Sequence, residues 1–312
     1  MNSKLTIVMY HYVRDLANSA FPRIKGLDTA AFRRQLDFLQ SEYTFISHAD
    51  LVACIKAANT LPEHACWLTF DDGYRDHYEN VFPELTSRGI SGAFFPPVSP
   101  VVEREMLDVN KIHFVLASSD DVSVLVAELR KLYRDHNLSV AMDKSFDECW
   151  AAYAHPSRFD SAAVIFVKRM LQFLLPEDSR SAFADILFKK YVSADILAFA
   201  DALYMSEHQL SEMVAAGMYV GSHGNRHLWL GKESPQTQRA EISRSLAFLQ
   251  KVGAPTVDWV MCYPYGNYNS QTHEILEDEH CLAGLATEVG IADLRKHARL
   301  ELPRMDTNDF PQ

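Results

Sequence analysis

Three short polar segments contain the side chains of this sequence that could perform chemistry. They are the pair Asp71–Asp72, the two histidines His223 and His227, and the Tyr-Pro-Tyr-Gly-Asn stretch at 263–267. Two imidazoles and one carboxylate form a recognised ligand set for a catalytic divalent metal, with positions left for water and substrate. Of two adjacent aspartates, only one easily points at the same metal as the histidines. The other is then close enough to take a proton from water acidified by the metal, a pattern that favours a metal-dependent hydrolase.

Each segment taken alone has a plainer explanation. Asp-Asp-Gly and Tyr-Pro-Tyr-Gly are common turn sequences, and a lone His-x3-His is more often incidental than a metal pair. All three segments, however, directly follow predicted strands, at 67–70, 218–222 and 257–263. The loops at the carboxyl ends of parallel strands converge on one face of a β/α fold. Their joint occurrence therefore favours one shared site over three unrelated turns.

The elements that must position this site alternate between strand and helix. The predicted strands cover residues 5–10, 44–46, 67–70, 91–95, 218–222, 257–263 and 282–287. Helical periodicity separates them, with Thr29 as the expected N-cap of the first helix and a long helix at 235–252. Between about 100 and 205 the periodicity is helical and no strand is convincing. We therefore predict an α/β fold with a parallel sheet from residues 1–99 and 206–312 and an α-helical insertion at 100–205. Within the insertion, Phe166, Met170, Phe173 and Leu174 are expected to form its own core rather than a dimer contact.

The three segments resemble the motifs of the polysaccharide deacetylases, the NodB-like carbohydrate esterase family 4. Residues 69–73, TFDDG, look like the first motif of that family. Residues 222–227, SHGNRH, resemble the second, H(S/T)xxH preceded by serine, although Gly224 stands where serine or threonine is usual. Residues 264–266, Pro-Tyr-Gly, resemble the end of the third. The resemblance implies a distorted (β/α) barrel with fewer than eight strands and leaves the helical insertion outside it.

The resemblance also implies an activity and roles for individual residues. The protein would remove an acyl group, expected to be acetyl, from an amino sugar or polysaccharide. Asp71 would be the general base, and Asp72, His223 and His227 would bind one divalent ion. Zinc is expected first, with nickel, cobalt or iron as alternatives. The backbone N–H of Tyr265 would help to stabilise the tetrahedral oxyanion, a role worth about 3 kcal/mol for one donor in other acyl-transfer enzymes.

Two departures from the family pattern concern catalysis. The third motif often begins with an arginine that orients the base, and that position is Cys262 here; we expect Arg304 to pair with Asp71 instead. The late histidine that commonly serves as general acid has no clean copy. His11, within a Met-Tyr-His segment, resembles the early acid histidine of a permuted subgroup that includes bacterial exopolysaccharide deacetylases. The alternatives are that His11 merely packs at a strand end, or that His297 is the acid.

Composition narrows the class of partner and the compartment. The formal net charge of −11 is spread along the chain without clustered basic residues, which argues against a nucleic-acid partner. No apolar run approaches the roughly 20 residues that span a bilayer. The N-terminal apolar stretch lacks a clear cleavage site, and the five cysteines show no CxxC spacing. We therefore expect a cytoplasmic protein with no disulfide framework.

Three other functions compete with polysaccharide deacetylation. A serine hydrolase is excluded because Ser222 lacks the G-x-S-x-G surroundings of a nucleophile elbow. The same metal site could act on a nucleotide-linked or lipid-linked sugar amide, for example as a deformylase, and cytoplasmic placement favours this. A sugar-binding pseudoenzyme is the third, favoured only by the missing motif arginine. The sequence does not predict the oligomeric state.

Overall fold

The computed structural model describes residues 2–57 and 59–312 and divides the chain into two compact units. Unit 1 consists of the residues up to Asp15, Gly26–Glu105 and Ala200–Gln312. Unit 2 consists of Leu16–Lys25 and Met106–Phe199. The sequence analysis places the helical insertion at 100–205 and does not associate the segment 16–25 with it.

Regular elements cover most of both units. The strands are β1 (Lys4–Tyr10), β2 (Val13–Arg14), β3 (Leu27–Asp28), β4 (Thr44–Phe45), β5 (Ala65–Asp71), β6 (Ala93–Phe95), β7 (Tyr219–Val220), β8 (Val260–Cys262), β9 (Ala283–Val289), β10 (Ala292–Asp293) and β11 (Leu302–Asp306). The α-helices are α1 (Thr29–Glu42), α2 (His48–Ala57), α3 (Phe82–Ser87), α4 (Val98–Val102), α5 (Asp108–Ser118), α6 (Val122–Asp135), α7 (Leu138–Ala141), α8 (Phe146–Tyr153), α9 (Ala162–Arg169), α10 (Glu177–Tyr191), α11 (Ile196–Leu203), α12 (Glu207–Ala215), α13 (Pro235–Val252) and α14 (Ser270–Asp278). His77–Val81 and Met170–Leu174 are π-helical, and Leu230–Lys232, Pro264–Gly266 and Thr307–Asp309 are 3₁₀ turns.

The main sheet of unit 1 is a curled ring of parallel strands. Its order is β7-β6-β5-β1-β11-β9-β8, with β4 beside β5 and the short β10 antiparallel to β1. The two end strands are joined by a parallel bridge between Ser222 and Met261. In that bridge the Ser222 N–H donates to Val260 O at 3.1 Å, and the Cys262 N–H donates to Ser222 O at 2.8 Å. The fold is thus the predicted distorted (β/α) barrel, with seven strands around the ring.

The strand β11 was not predicted, because Pro303 and Arg304 interrupt its short apolar pattern. It lies between β1 and β9, and Val8 is paired with Met305 in parallel. The first and last strands of the chain are therefore neighbours, as the barrel interpretation requires.

The central strand β5 is buried on both of its faces and is therefore largely apolar. Every residue of β5 is buried, since one face points into the barrel and the other packs against helices. Trp67 lies in a cluster with Leu5 and Ile7, whereas Phe70 packs in a separate cluster with Phe32 of α1. A strand buried on both faces reads as a continuous apolar run, and such a run can end in a polar pair only where it leaves the sheet.

Helix α1 begins at the expected residue but with a different cap. Thr29 is its first helical residue, and the N-cap is Asp28, whose side chain accepts a hydrogen bond from the Ala30 N–H. The prediction of Thr29 as the cap was therefore wrong by one residue. An aspartate carboxylate fits the partial positive charge at a helix N-terminus and satisfies one of its free N–H groups.

Unit 2 is helical and has a core of its own. Phe166 and Met170 are fully buried, and Phe166 packs against the rings of Phe146 and Trp150 at 5.2 and 4.9 Å. In the part of the chain that the structure describes, no helix is both long and apolar enough to cross a membrane. The five cysteines are free thiols.

Gly284 in β9 provides a test of barrel packing. A Cβ at this position would lie 2.5 Å from the carbonyl oxygen of Leu300 and closer still to the Tyr263 hydroxyl. Since neither group can retreat easily, we expect Gly284→Ala to lower the free energy of unfolding by about 1–3 kcal/mol. Gly290→Ala is the matched control: its Cβ would meet only Pro303, at 3.4 Å, so a change within about 0.5 kcal/mol is expected. Urea titration of both variants measures this, and equal losses would contradict it.

Candidate active site

The three segments singled out in the sequence meet at the carboxyl end of the barrel. Asp72 follows β5, and His223 and His227 follow the bridge that closes the ring. Asp72 Oδ1 lies 3.3 Å from His223 Nε2 and 3.4 Å from His227 Nε2. All three side chains are buried, so their polar atoms face one another in a confined space.

This triangle fits a metal ion better than it fits hydrogen bonding. The separations exceed the roughly 2.7–2.9 Å of a charge-assisted hydrogen bond. They match the spacing of roughly 3.3 Å between ligands held at 2.0–2.1 Å in a tetrahedron around zinc. Asp72 Oδ1 is also buried with no hydrogen-bond partner among the described residues. A buried carboxylate oxygen facing two imidazole nitrogens is the donor set that a divalent metal requires.

Neighbouring groups orient two of these ligands. His223 Nδ1 lies 2.7 Å from the carbonyl oxygen of Cys262. Because a carbonyl only accepts, Nδ1 must donate, which leaves the lone pair of Nε2 directed towards Asp72. The Tyr74 hydroxyl donates to Asp72 Oδ2, so that Oδ1 remains for the site. Burial opposes ionisation of Asp72, but the imidazoles of His223 and His227 hold its pKa well below the usual value.

Asp71 forms a buried ion pair with Arg304. The guanidinium places Nη1 at 2.9 Å from Oδ1 and Nη2 at 2.8 Å from Oδ2, a bidentate geometry. Arg304 Nε donates to the Ala286 carbonyl at 2.9 Å and Nη1 also approaches Thr69 Oγ1 at 3.2 Å. Arg304, which lies on β11, therefore pairs with Asp71.

This pair determines the charge of Asp71. Burial by itself would raise the pKa of Asp71, but the Arg304 guanidinium, assisted by His11, more than offsets burial and lowers the pKa to about 2. The carboxylate is ionised at any physiological pH and can accept a proton. The buried thiol of Cys262 lies next to the pair. Burial raises the pKa of this thiol, so it stays neutral and adds no negative charge beside Asp71. A small neutral side chain at 262 is compatible with an arginine arriving from β11.

The remaining predicted residues lie around this centre. His11 Nε2 is 4.0 Å from Asp71 Oδ2, and the His11 side chain is 41% exposed. The Tyr265 ring meets the ring of His227 edge-on at 4.6 Å and stacks on Trp229 at 4.4 Å. Tyr265 has a φ of +57°, so the turn there is a left-handed one. His11 thus lies beside Asp71, and Tyr265 lies beside His227 of the triangle.

The reserve candidate His297 lies elsewhere. Its Nδ1 accepts a hydrogen bond from the Asp293 N–H at 2.9 Å, and Asp293 is paired with Lys4 at the start of β1. His11 follows the other end of the same strand. His297 is thus at the amino end of the barrel, away from the site.

Glu241 of α13 is a site residue that the sequence analysis missed. Its Oε2 accepts the backbone N–H groups of Asn225 at 3.0 Å and Arg226 at 2.8 Å, within the loop that joins the two histidines. The carboxylate is 2% exposed. A signal was present: Gln238, Glu241 and Ser245 are spaced three and four residues apart on one helical face, and all three are buried. Polar residues on the core-facing side of a helix indicate a buried polar partner, here the loop backbone.

Replacing Arg304 tests the buried ion pair. In Arg304→Met the Asp71 carboxylate would be buried without a counter-ion, so we expect the free energy of unfolding at pH 7.5 to fall by about 3–5 kcal/mol. The variant's Asp71 then has a raised pKa, and protonation at lower pH relieves the penalty. Wild-type Asp71, with its lowered pKa, gains nothing from that protonation.

The deficit of Arg304→Met relative to wild type should therefore narrow as the pH falls from 7.5 to 5. Urea unfolding at both pH values measures it. Arg304→Lys, which keeps the charge but not the bidentate geometry, should lose less. A deficit that does not change with pH would show that Asp71 is not the group left uncompensated.

A family comparison agrees with this geometry. Residues 170–280 match the family model described as polysaccharide deacetylase. The match includes His223, His227 and Tyr265 but ends before Arg304, and Asp71 lies upstream of it. An Escherichia coli (strain K12) protein named poly-beta-1,6-N-acetyl-D-glucosamine N-deacetylase is 38% identical over 79 residues, which are 25% of this chain and only 12% of that protein.

Solved structures share the fold along nearly the whole chain. The Streptococcus pyogenes deacetylase PplD in complex with acetate superposes with a TM-score of 0.59 at 18% identity, covering 98% of this chain and 93% of that one. IcaB from Ammonifex degensii gives a TM-score of 0.57 at 18% identity, with the same coverage. Together with the family match over residues 170–280, they show that this chain shares the fold of these deacetylases and is similar in sequence to the polysaccharide deacetylase family.

Proposed function

We propose that this protein hydrolyses N-acetyl groups of amino sugars in a polysaccharide, in a metal-dependent reaction. The observation that carries the proposal is the buried triangle of Asp72, His223 and His227 beside the ionised Asp71. The name of the Escherichia coli relative supports an N-acetylglucosamine polymer as the substrate class. The matched segment is only 12% of that relative, so the same substrate class is proposed for this chain rather than inferred from identity.

Asp72, His223 and His227 would hold the divalent ion, with zinc expected first for two nitrogen donors and one oxygen donor. When bound, the ion supplies Lewis acidity for the amide carbonyl and lowers the pKa of water to about 7. The hydrogen bonds from His223 to Cys262 and from Tyr74 to Asp72 hold these ligands in place without competing for the donor atoms. Such outer contacts commonly change metal affinity by about 10–100-fold.

Asp71 is the proton acceptor in this proposal. Its carboxylate is ionised, buried and held by two contacts from Arg304, so it can remove a proton from water as the water oxygen attacks the acetyl carbonyl. A lowered pKa makes Asp71 a weak base in isolation. Orientation by Arg304 offsets this, because a fixed acceptor next to the reacting water needs no reorganisation.

His11 would complete the proton balance. It lies on the more exposed side of Asp71, where a sugar amide would enter from solvent. Cleavage of the C–N bond requires a proton on the departing nitrogen, and His11 would donate it. Water and the N-acetyl sugar are thereby converted into acetate and the free amino sugar. The backbone N–H of Tyr265 is proposed to stabilise the negative oxygen that develops during attack.

Acetate release is the primary test. Wild type would be assayed on oligomers of β-1,6-linked N-acetylglucosamine, on nucleotide-linked N-acetyl and N-formyl sugars, and on free N-acetylglucosamine. We expect release from the oligomers with about one metal ion per chain. Asp71→Asn should lose at least about 100-fold in kcat and keep the metal. His223→Ala should lose both.

The panel also separates the alternatives. Release from the nucleotide-linked compounds alone would move the substrate to small activated sugars. Stoichiometric metal without release from any compound would favour a sugar-binding pseudoenzyme. Absence of metal even after incubation with zinc would overturn the assignment of the triangle.

The role of His11 has its own test. His11→Ala should lower kcat by about 100-fold while the metal content remains that of wild type, because the side chain is not in the triangle. Amides whose departing amine is less basic, such as acetanilide analogues, should be less affected than the sugar amide, because they need less help from an acid to leave. Full activity of His11→Ala on the sugar amide would remove His11 from the mechanism.

A further inference from the structure

We propose that one turn after β5 positions the candidate acid His11 by binding the backbone on which it stands. This inference rests on the proposed function and concerns the placement of the residue that protonates the amine. The turn presents three polar side chains, which we call the β1 clamp: Asp76, His77 and Asn80. They are positioning residues, since they act on His11 through the main chain rather than on the substrate.

Two of the clamp residues bind main-chain carbonyls just beyond β1. His77 Nε2 donates to the carbonyl oxygen of His11 at 2.8 Å, and Asn80 Nδ2 donates to that of Val13, also at 2.8 Å. The partners are more than 60 residues apart in sequence, so the contacts exist only in the folded barrel. They hold the residue that carries the candidate acid and the residue two positions beyond it.

The third contact joins a side chain of the same segment, that of Arg14, to the clamp residue Asp76. Arg14 Nε donates to Asp76 Oδ2 at 2.7 Å, and both side chains are largely buried. Three of the four residues 11–14, namely His11, Val13 and Arg14, are thus attached to one turn, each through one interaction. The β2–β3 pairing holds the remaining residue, since the Leu27 N–H donates to Tyr12 O at 2.9 Å, and these contacts together position the backbone of His11.

The segment needs such support because the sheet ladder ends before it. The pairing of β1 with β5 ends at Tyr10 and Phe70, and its pairing with β11 ends at Met9 and Asp306. Beyond Tyr10 the carbonyls lie outside the ladder of the main sheet and require other donors, and the Leu27 N–H of β3 is the donor for Tyr12 O. His77 provides the donor at the first of these positions.

His77 is well suited to this role because its ring is packed tightly in the core. Its side chain is fully buried, and its ring packs against Phe70 at 5.5 Å, Tyr74 at 5.6 Å and Phe94 at 5.9 Å. Burial lowers the pKa of His77 to about 4, so the ring is neutral and has a single N–H. A carbonyl acceptor at Nε2 places that hydrogen on Nε2. The ring therefore acts as a fixed donor from the core to the His11 carbonyl.

The backbone of the turn is also specialised. His77–Val81 is π-helical, and the Phe82 N–H donates to His77 O in the wider i→i+5 pattern. Such turns are rare and occur often at functional sites. Here the π-helical turn carries His77 and Asn80 on the side that faces β1.

The side chain of His11 is partly open to solvent. Its side chain is 41% exposed and its nearest charged atom, Asp71 Oδ2, is 4.0 Å away. An exposed side chain has little packing to restrict it, so its reach is set by the position of its own backbone. A misplacement of about 1 Å at a reacting group can cost about 100-fold in rate.

Two substitutions of His77 separate the donor from the ring. His77→Phe keeps an aromatic ring in the core but removes the hydrogen bond to His11 O, and we expect kcat for acetate release to fall about 10–100-fold. The KM should change less than twofold and the bound metal should remain stoichiometric. His77→Gln, which retains an N–H near the position of Nε2, should recover most of the loss.

A double-mutant cycle tests whether the loss passes through His11. If His77 acts only by placing His11, His77→Phe should cause no further loss of kcat in a His11→Ala background. Losses that multiply would overturn the proposal, because they would show that His77 acts by another route. Recovery absent in His77→Gln would count against it as well.

His48 offers a matched control. His48 is also a histidine whose Nε2 contacts a main-chain carbonyl, that of Asp258 at 2.8 Å. It is partly buried, and its ring stacks on that of Tyr219 at 3.9 Å. His48 lies at the start of α2, outside the site. His48→Phe should lower the thermal midpoint but leave kcat unchanged, and an equal loss of kcat would reduce the His77 effect to general destabilisation.

A measurement independent of activity distinguishes failure of the clamp from failure of the proposed function. Peptides covering 11–15 should exchange amide hydrogen for deuterium faster in His77→Phe than in wild type, and at the wild-type rate in His48→Phe. Faster exchange without any acetate release by wild type would retain the clamp and reject the function. Unchanged exchange in His77→Phe would reject the clamp whatever the activity.

Discussion

The closure of a parallel sheet into a ring is the constraint on which the rest of this structure depends. The bridge between Ser222 and Met261 joins the two ends of the curled sheet, and seven strands then deliver their carboxyl ends to one rim. Because of this closure, side chains more than 150 residues apart in sequence, such as Asp72 and His223, come within 3.3 Å of each other. His223 is the first residue after the bridge, so the pairing that closes the ring also positions a candidate metal ligand.

The rim concentrates charges that would be costly to bury singly. Asp71 is compensated by a bidentate arginine, Asp72 by two imidazoles and the Tyr74 hydroxyl, and Glu241 by two backbone N–H groups and the Arg226 side chain. Each carboxylate has a different form of compensation, and each form suits a different task. Pairing with arginine keeps Asp71 ionised, two imidazoles and an oxygen without a hydrogen-bond partner among the described residues suit Asp72 to the proposed metal site, and backbone donors let Glu241 hold a loop.

The site is therefore supported in two layers. Asp72, His223 and His227 face one another directly, while Tyr74, Glu241 and the Cys262 carbonyl hold them from behind. The outer contacts come from elements that are rigid for other reasons: a buried strand end, a long helix and the closing strand. Placing orienting groups on such elements keeps the geometry narrow without extra ordering at the moment of reaction.

What could be predicted from the sequence follows from local physics. The strands and helices of the barrel follow from hydrophobic periodicity, as for α13, whose predicted bounds are those of the structure. Asp71, Asp72, His223 and His227 could be singled out because chemically capable residues stood directly after strands. The family resemblance added the barrel and the expectation that an arginine must accompany the base. The strand β11 was overlooked because it is short and contains Pro303.

Only the tertiary structure decided which distant residues meet. Glu241 lies in an ordinary helical sequence. Its role depends on the loop that contains Arg226, 15 residues earlier in the chain, packing against its side of the helix. The clamp on residues 11–14 depends on polar side chains from 76–80 that no local pattern connects to them. Local propensity reflects interactions within a few residues, and such interactions are encoded in spacing. Compensation of a buried charge or carbonyl depends on whichever chain segment the closed ring brings near, so the sequence alone determined the reactive residues, and the fold determined what holds them.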